Sequence, residues 1–242
     1  MRAARKGTAL VACLSAAALS AGCGGGSGSS KPAAFVDGFD GYEVKDWTTP
    51  PDGWESLSGK NWYVTDSTSV SGNSLWFVSN DDDWLVREYG AADFTESVQI
   101  SYQAIIPYLG GAYGAGLVGR LSDASTYYSV DIETDTYYSS HPTVLLLSKF
   151  WTEGSTTFAY TMGEVGFFTG DIDSGAFYTL TLTCQGDQIT ARASGPGVPE
   201  KELTRTDDGT HGPVLSGSKV GVYGLAEVSF HPYFDNFSVS AL

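Results

Sequence analysis

From Phe177 to Gly195 the chain reads FYTLTLTCQGDQITARASG. Apolar and polar residues alternate on both sides of a Gly-Asp centre. That period of two belongs to β-strands, whose successive side chains point to opposite faces. The stretch is therefore a hairpin with its turn in CQGDQ (Cys184–Gln188), where the glycine accepts a positive φ. A helix would instead need apolar residues three and four apart.

The same pattern governs the rest of the chain. Short runs rich in Val, Ile, Thr, Tyr, Phe and Trp are split by Gly, Asp, Asn and Ser, with almost no helical periodicity. Strands are predicted over 62–66, 74–78, 84–88, 97–107, 115–121, 127–135, 143–151, 156–161, 177–183, 188–193, 219–224 and 233–239. PPDG (Pro50–Gly53) is a further turn. With no repeat and no second composition class, residues 34–242 form one all-β domain, as sandwiches of this size often do. The segment Gly195–Gly217 is expected to be a long loop, and long loops in compact domains are often functional.

The N-terminus is of another kind. Arg2, Arg5 and Lys6 precede an apolar run too short for the ~20 residues that span a bilayer. This is the plan of a secretory signal. The run ends in Leu19-Ser20-Ala21-Gly22-Cys23, which resembles the lipobox of bacterial lipoproteins, although that family prefers Leu where Ser20 stands. The resemblance implies cleavage after residue 22 and a diacylglyceryl group on Cys23. Residues 1–22 are then the signal and 23–33 a lipidated cysteine with a flexible Gly/Ser tether; 34–242 is the domain. Two or more acyl chains hold a protein firmly on a membrane. The expected location is the cell surface or periplasm. Of the three cysteines, Cys13 leaves with the signal, and Cys184 lies in a strand-like run that suits a small buried hydrophobe.

Charge narrows the partners. The chain has 28 Asp and Glu against 13 Lys and Arg, a net charge of −15, which becomes more negative once the signal leaves. Nucleic acid is excluded as a partner, because its phosphates need a basic patch. Neutral glycans, neutral protein surfaces and cations stay open.

Four stretches, in order, carry a resemblance: GLVGRLSDASTYYSVDIE (Gly116–Glu133), VLLLSKFWTEGSTTFAY (Val144–Tyr160), FYTLTLTCQGDQITARASG (Phe177–Gly195) and SGSKVGVYG…YFDNFSV (Ser216–Val239). Together they resemble the laminin-G-like, concanavalin-A-like lectin/glucanase superfamily. That resemblance implies a jelly-roll sandwich of two antiparallel sheets. Its members bind glycans, hydrolyse them or serve as adhesive domains, so the fold alone does not choose. In related binding modules the late F-D-D/N aspartate and an acidic residue near the first strand hold a structural calcium. By position these are Asp235 and Asp40; the other role for Asp235 is to hydrogen-bond the incoming N-terminal segment.

The stretch YYSVDIETDTYY sets Tyr127, Asp131, Glu133, Asp135 and Tyr137 on one strand face. This row is read first as a solvated sheet face, then as a ligand-binding face, then as a catalytic set. Asp131 and Glu133 start ~6.6 Å apart at Cα, compatible with either stereochemical course of glycoside hydrolysis. Tyr127 and Tyr137 favour binding, because rings with polar tips suit the mixed faces of sugars. Trp54 and Trp84 follow turn-like stretches and are expected as exposed platforms. NDDD (Asn80–Asp83) is expected to be a solvated turn. The function expected is a non-catalytic, envelope-anchored carbohydrate-binding domain for a neutral glycan. The alternatives are a glycoside hydrolase using Asp131, Glu133 and Asp135, with Glu133 as acid or base, and an envelope scaffold or adhesion domain with a protein partner.

Overall fold

The computed structural model describes residues 32–44, 46–47, 50–60, 62–70, 72–77, 82–102, 112–135, 143–168, 176–225 and 232–242. The signal and tether readings, Cys23 included, lie outside them. Residues Lys31–Leu242 form one compact unit.

Among the described residues sixteen strands run in chain order: β1 Phe35–Asp37, β2 Asp46–Trp47, β3 Glu55–Ser56, β4 Trp62–Thr65, β5 Ser74–Phe77, β6 Asp83–Glu88, β7 Phe94–Tyr102 and β8 Ala112–Asp123. Then come β9 Thr126–Asp135, β10 Thr143–Glu153, β11 Thr156–Phe168, β12 Phe177–Gln185, β13 Gln188–Gly195, β14 Val198–Thr206, β15 Lys219–Leu225 and β16 Pro232–Ala241. No helix occurs among the described residues. The strands form two antiparallel sheets. One has nine strands in the order β14-β13-β12-β7-β16-β5-β4-β2, with β1 beside β16; the other has seven, β11-β10-β9-β8-β15-β6-β3.

The alternation read from sequence builds the core between these sheets. From β12, Tyr178, Leu180, Leu182 and Cys184 point inward; from β9, Tyr128, Val130 and Ile132 meet them. Trp62, Phe77, Phe94, Phe234 and Phe237 fill the rest, each 1% exposed or less. Cys184 is a free, buried thiol, and burial pushes its pKa up.

Four strands escape the sequence reading: β1, β2, β3 and β14. The first three are two or three residues long. β14 (VPEKELTRT) buries only Leu203. It is an edge strand, and edges stay soluble by carrying charge instead of apolar alternation. So 195–206 is hairpin, and the loop proper begins at Asp207.

Buried polar anchors tie the loops to the sheets. Arg120 is 4% exposed and sits at φ 48° in a bulge of β8. Its guanidinium donates to the carbonyls of Ala92, Gly186 and Leu215, so one side chain fastens three connections. Asp83 is fully buried, correcting the solvated reading of that residue. Its carboxylate accepts from Trp62 Nε1 at 2.8 Å, the Ser56 hydroxyl, and the backbone N–H groups of Ser58, Lys60 and Trp84. Asp82 beside it is exposed.

Candidate functional site

On the seven-stranded sheet, β9 turns Tyr127, Ser129 and Asp131 away from the sandwich core. Cross-strand register extends this face into rows. One row runs Leu146, Asp131, Gly116, Tyr223, Trp84 from β10 to β6; the next runs Ser148, Ser129, Val118, Gly221, Val86. Glycine at 116 and 221 keeps the middle low. A Cβ at Gly116 would lie 1.9 Å from the Val130 carbonyl oxygen, so the strand pairing itself excludes a side chain there. Across that gap the Tyr223 hydroxyl donates to Asp131 Oδ2.

Over this floor lies a second, smaller apolar cluster. Val86, Val118, Leu121 and Tyr127 are buried in it, with Leu57, Trp84, Phe150 and Tyr223 packed against them. Tyr127 stacks on Phe150 at 4.7 Å and meets Trp84 edge-on at 5.7 Å. Trp84 and Tyr127 stand on strands separated by two others, about 14 Å in a flat sheet. Two large side chains therefore lean inward over the small residues between them. Burial pushes the Tyr127 phenol's pKa up, the Trp84 indole N–H opposes this, and the charges of Asp82 and Asp131 reinforce it.

The row read first as solvated is therefore not wet at its described members: Tyr127 is 5% and Asp131 3% exposed. Trp84 is half-buried within the cluster and not an exposed platform. Trp54 is 6% exposed, packed on Phe39 and Phe237, with Nε1 donating to Asp37 Oδ2 at 3.0 Å. The backbones of Glu133 and Asp135 continue β9, but their side chains, and all of Tyr137, lie outside the described residues. Phe150 and Tyr223 join the face without having been singled out in the sequence, and Ser129 joins it by the same alternation as Tyr127 and Asp131. The Ser129 hydroxyl is buried with no hydrogen-bond partner among the described residues.

Such a face presents three half-exposed rings (Trp84, Phe150, Tyr223), with the Asp131 carboxylate and the Ser129 hydroxyl buried beneath them. Rings with polar tips bury the apolar face of a partner and hydrogen-bond its rim. Of the three candidate catalytic carboxylates, Asp131 is the one whose side chain is described, and it holds the Tyr223 hydroxyl.

The calcium candidates sit elsewhere, near β1 and β16. Asp235 is fully buried; Oδ2 accepts the Val70 N–H at 2.8 Å and Oδ1 the Asn236 N–H at 2.7 Å. Val70 belongs to the β4–β5 connection and not to the N-terminal segment. Asp40 Oδ1 accepts the Asn73 N–H at 2.7 Å. Asp40 Oδ2 and Asn236 Oδ1 both lie against Gly38, within 3.6 Å of where its Cβ would stand. Among the described residues no three His, Cys, Asp or Glu side chains gather as a metal ligand set.

No family model matches the sequence, and no curated protein matches it. Solved structures do match. A carbohydrate-binding module (CBM66) from Bacillus subtilis aligns over 78% of this chain and 96% of its own, with 17% identity and a TM-score of 0.51. A lectin from Bauhinia forficata in complex with GalNAc aligns over 88% of this chain and 99% of its own, at 11% identity and a TM-score of 0.51. A GH43 protein from Bacillus licheniformis aligns at 16% identity and a TM-score of 0.54; the match covers 86% of this chain but 39% of the other. Identities this low establish the fold alone: a concanavalin-A-like jelly roll of two antiparallel sheets.

Proposed function

We propose that this chain is an exported, membrane-tethered, non-catalytic domain that binds a neutral carbohydrate. The observation that carries the reading is the outer face of the seven-stranded sheet. There Trp84, Phe150 and Tyr223 stand half-buried over the buried Asp131 carboxylate, which the Tyr223 hydroxyl holds. Two of the structures that share the fold are named as a carbohydrate-binding module and a sugar-bound lectin, and this supports the choice of ligand. The test is retention on insoluble neutral polysaccharides. Trp84→Ala and Phe150→Ala should each weaken it about tenfold, which is 1.4 kcal/mol. Retention unchanged in both variants would remove this face from the reading.

Tethering rests on the Leu19–Cys23 motif and the Gly/Ser run after it. Growth of the expressing cells with labelled palmitate should label the wild-type protein, and Cys23→Ser should abolish the label. A labelled Cys23→Ser protein would end the lipoprotein assignment.

A structural calcium is part of the proposal. It would rest on Asp235 and Asp40, with Asn236 Oδ1, which lies against Gly38 as Asp40 Oδ2 does, as a further oxygen of the kind calcium prefers. Each Asp235 oxygen accepts one backbone N–H and keeps a second lone pair for a metal. Calcium added to chelator-treated protein should raise its melting temperature, less so in Asp40→Asn; an unchanged melting temperature would leave no structural calcium here.

A further inference from the structure

The two sheets of the sandwich end side by side at β11 and β14, and a cleft of about 180 Å³ opens there. It belongs to neither the aromatic face nor the calcium candidates. Arg205 of β14 crosses the edge, its Nε donating to the Met162 carbonyl of β11 at 3.0 Å; Gly163 leaves the room this needs. Above this clasp the loop from Asp207 folds back over the edge. Its hold is internal. Lys149, 1% exposed, donates to Asp207 at 2.7 Å and to the Gly212 carbonyl at 3.1 Å. The Tyr128 hydroxyl donates to Asp207 and accepts the Leu215 N–H at 3.1 Å. Gly212, at φ 76°, lies flat on the Trp151 ring, where any Cβ would stand 2.5 Å from it. The loop is thus built into one shape, and the cleft beneath it exists before any ligand arrives.

Its walls combine two chemistries. The His211 imidazole stacks on the Tyr160 ring, centroids 3.8 Å apart and planes at 19°. Thr206, Thr210 and Asp208 supply hydroxyls and a carboxylate on the exposed rim. The Thr210 hydroxyl and N–H hold the Asp208 carboxyl below its ordinary pKa, so it is an acceptor at neutral pH. At the floor the Lys149 charge is already matched by Asp207. Among the cleft's lining residues Lys149 is the one permanent cation and it is matched, so nothing there invites an anion, and Asp208 with the net charge of −15 repels one. The volume falls below the ~300–1,000 Å³ of pockets for drug-sized ligands. That leaves room for a single ring with an apolar face and a polar rim.

We infer that this edge cleft is a second binding site, taking one neutral monosaccharide ring between the Tyr160–His211 stack and the Asp208–Thr210 rim. The ligand class rests on the sugar-binding reading proposed above; the location does not. Saturation-transfer NMR on the full chain, held in detergent, with glucose, galactose, mannose, fructose and N-acetylglucosamine tests it. His211 and Asp208 are exposed loop residues outside the Lys149–Asp207 anchor, so His211→Ala and Asp208→Asn should fold. At least one sugar should respond; His211→Ala should weaken it about tenfold and Asp208→Asn should weaken it. A response lost in Trp84→Ala and untouched in His211→Ala would move the sugar to the sheet face and overturn the cleft alone. Polysaccharide retention with no monosaccharide response would do the same. No binding of any sugar would overturn both readings.

Discussion

Asp207→Ala should lower the unfolding free energy by about 3–5 kcal/mol, the usual cost of removing one partner from a buried ion pair. The side chains of Lys149 and Asp207 are 1% and 4% exposed. Without Asp207 an ammonium stays buried with the Gly212 carbonyl as its remaining acceptor, and the Tyr128 hydroxyl loses its acceptor as well. For a chain of this size the melting temperature should fall on the order of 10 °C. Lys149→Met added to Asp207→Ala should recover part of the loss, because the stranded charge is then gone. Differential scanning calorimetry reads both. A single-variant effect below about 1 kcal/mol, the level of an exposed pair, would mean that the loop is not anchored through this bridge.

Glu96 should make the protein lose stability as pH rises. It stands on the core side of β7 between Phe94 and Val98, fully buried, and neither carboxyl oxygen has a well-formed hydrogen bond. Burial raises its pKa well above the ordinary value, and the Gly221 main-chain N–H is the counterweight. The folded state therefore favours the protonated acid. Its contribution is fully present below the unfolded value of about 4.3 and is lost as pH climbs towards the folded value. The slope over that window is about 1.4 kcal/mol per pH unit. Glu96→Gln keeps the shape and removes the proton, so urea unfolding at a series of pH values should show a flatter profile and a more stable variant at neutral pH. Parallel profiles for wild type and Glu96→Gln would show that Glu96 does not titrate in this window.

Glu96 also shows how the sequence misleads. In FTESVQISY a charge occupies a core position: the alternation read from sequence starts the strand at Ser97, and the structure starts it at Phe94. Most other strands were legible because their inward positions are apolar, as along Phe177–Gln185. β14 was not, since an edge strand has one neighbour to satisfy and little core to face.

The family-like motifs pointed to the fold more than to the site. Arg120 and Lys149 recur in the stretches that carry the resemblance, and both prove to be buried loop anchors. Tyr127 and Asp131, the described members of the acidic strand's row, share one face as expected, yet that face is buried and not solvated. Alternation says which residues share a face; it does not say that Trp84 and Phe150, from β6 and β10, will close over it. Those partners come from register across the sheet, which a single chain's pattern does not reveal. The His211–Tyr160 stack was foreshadowed only by the length of the loop after Gly195.

The central claim is that the sandwich binds a neutral carbohydrate, and a glycan array probed with the compact unit Lys31–Leu242 in the presence of calcium meets it most directly. The account predicts binding to a defined set of neutral glycans, reduced in the Trp84→Ala variant. Silence across a broad array, with the domain folded, would contradict it and turn the search to a protein partner at the envelope.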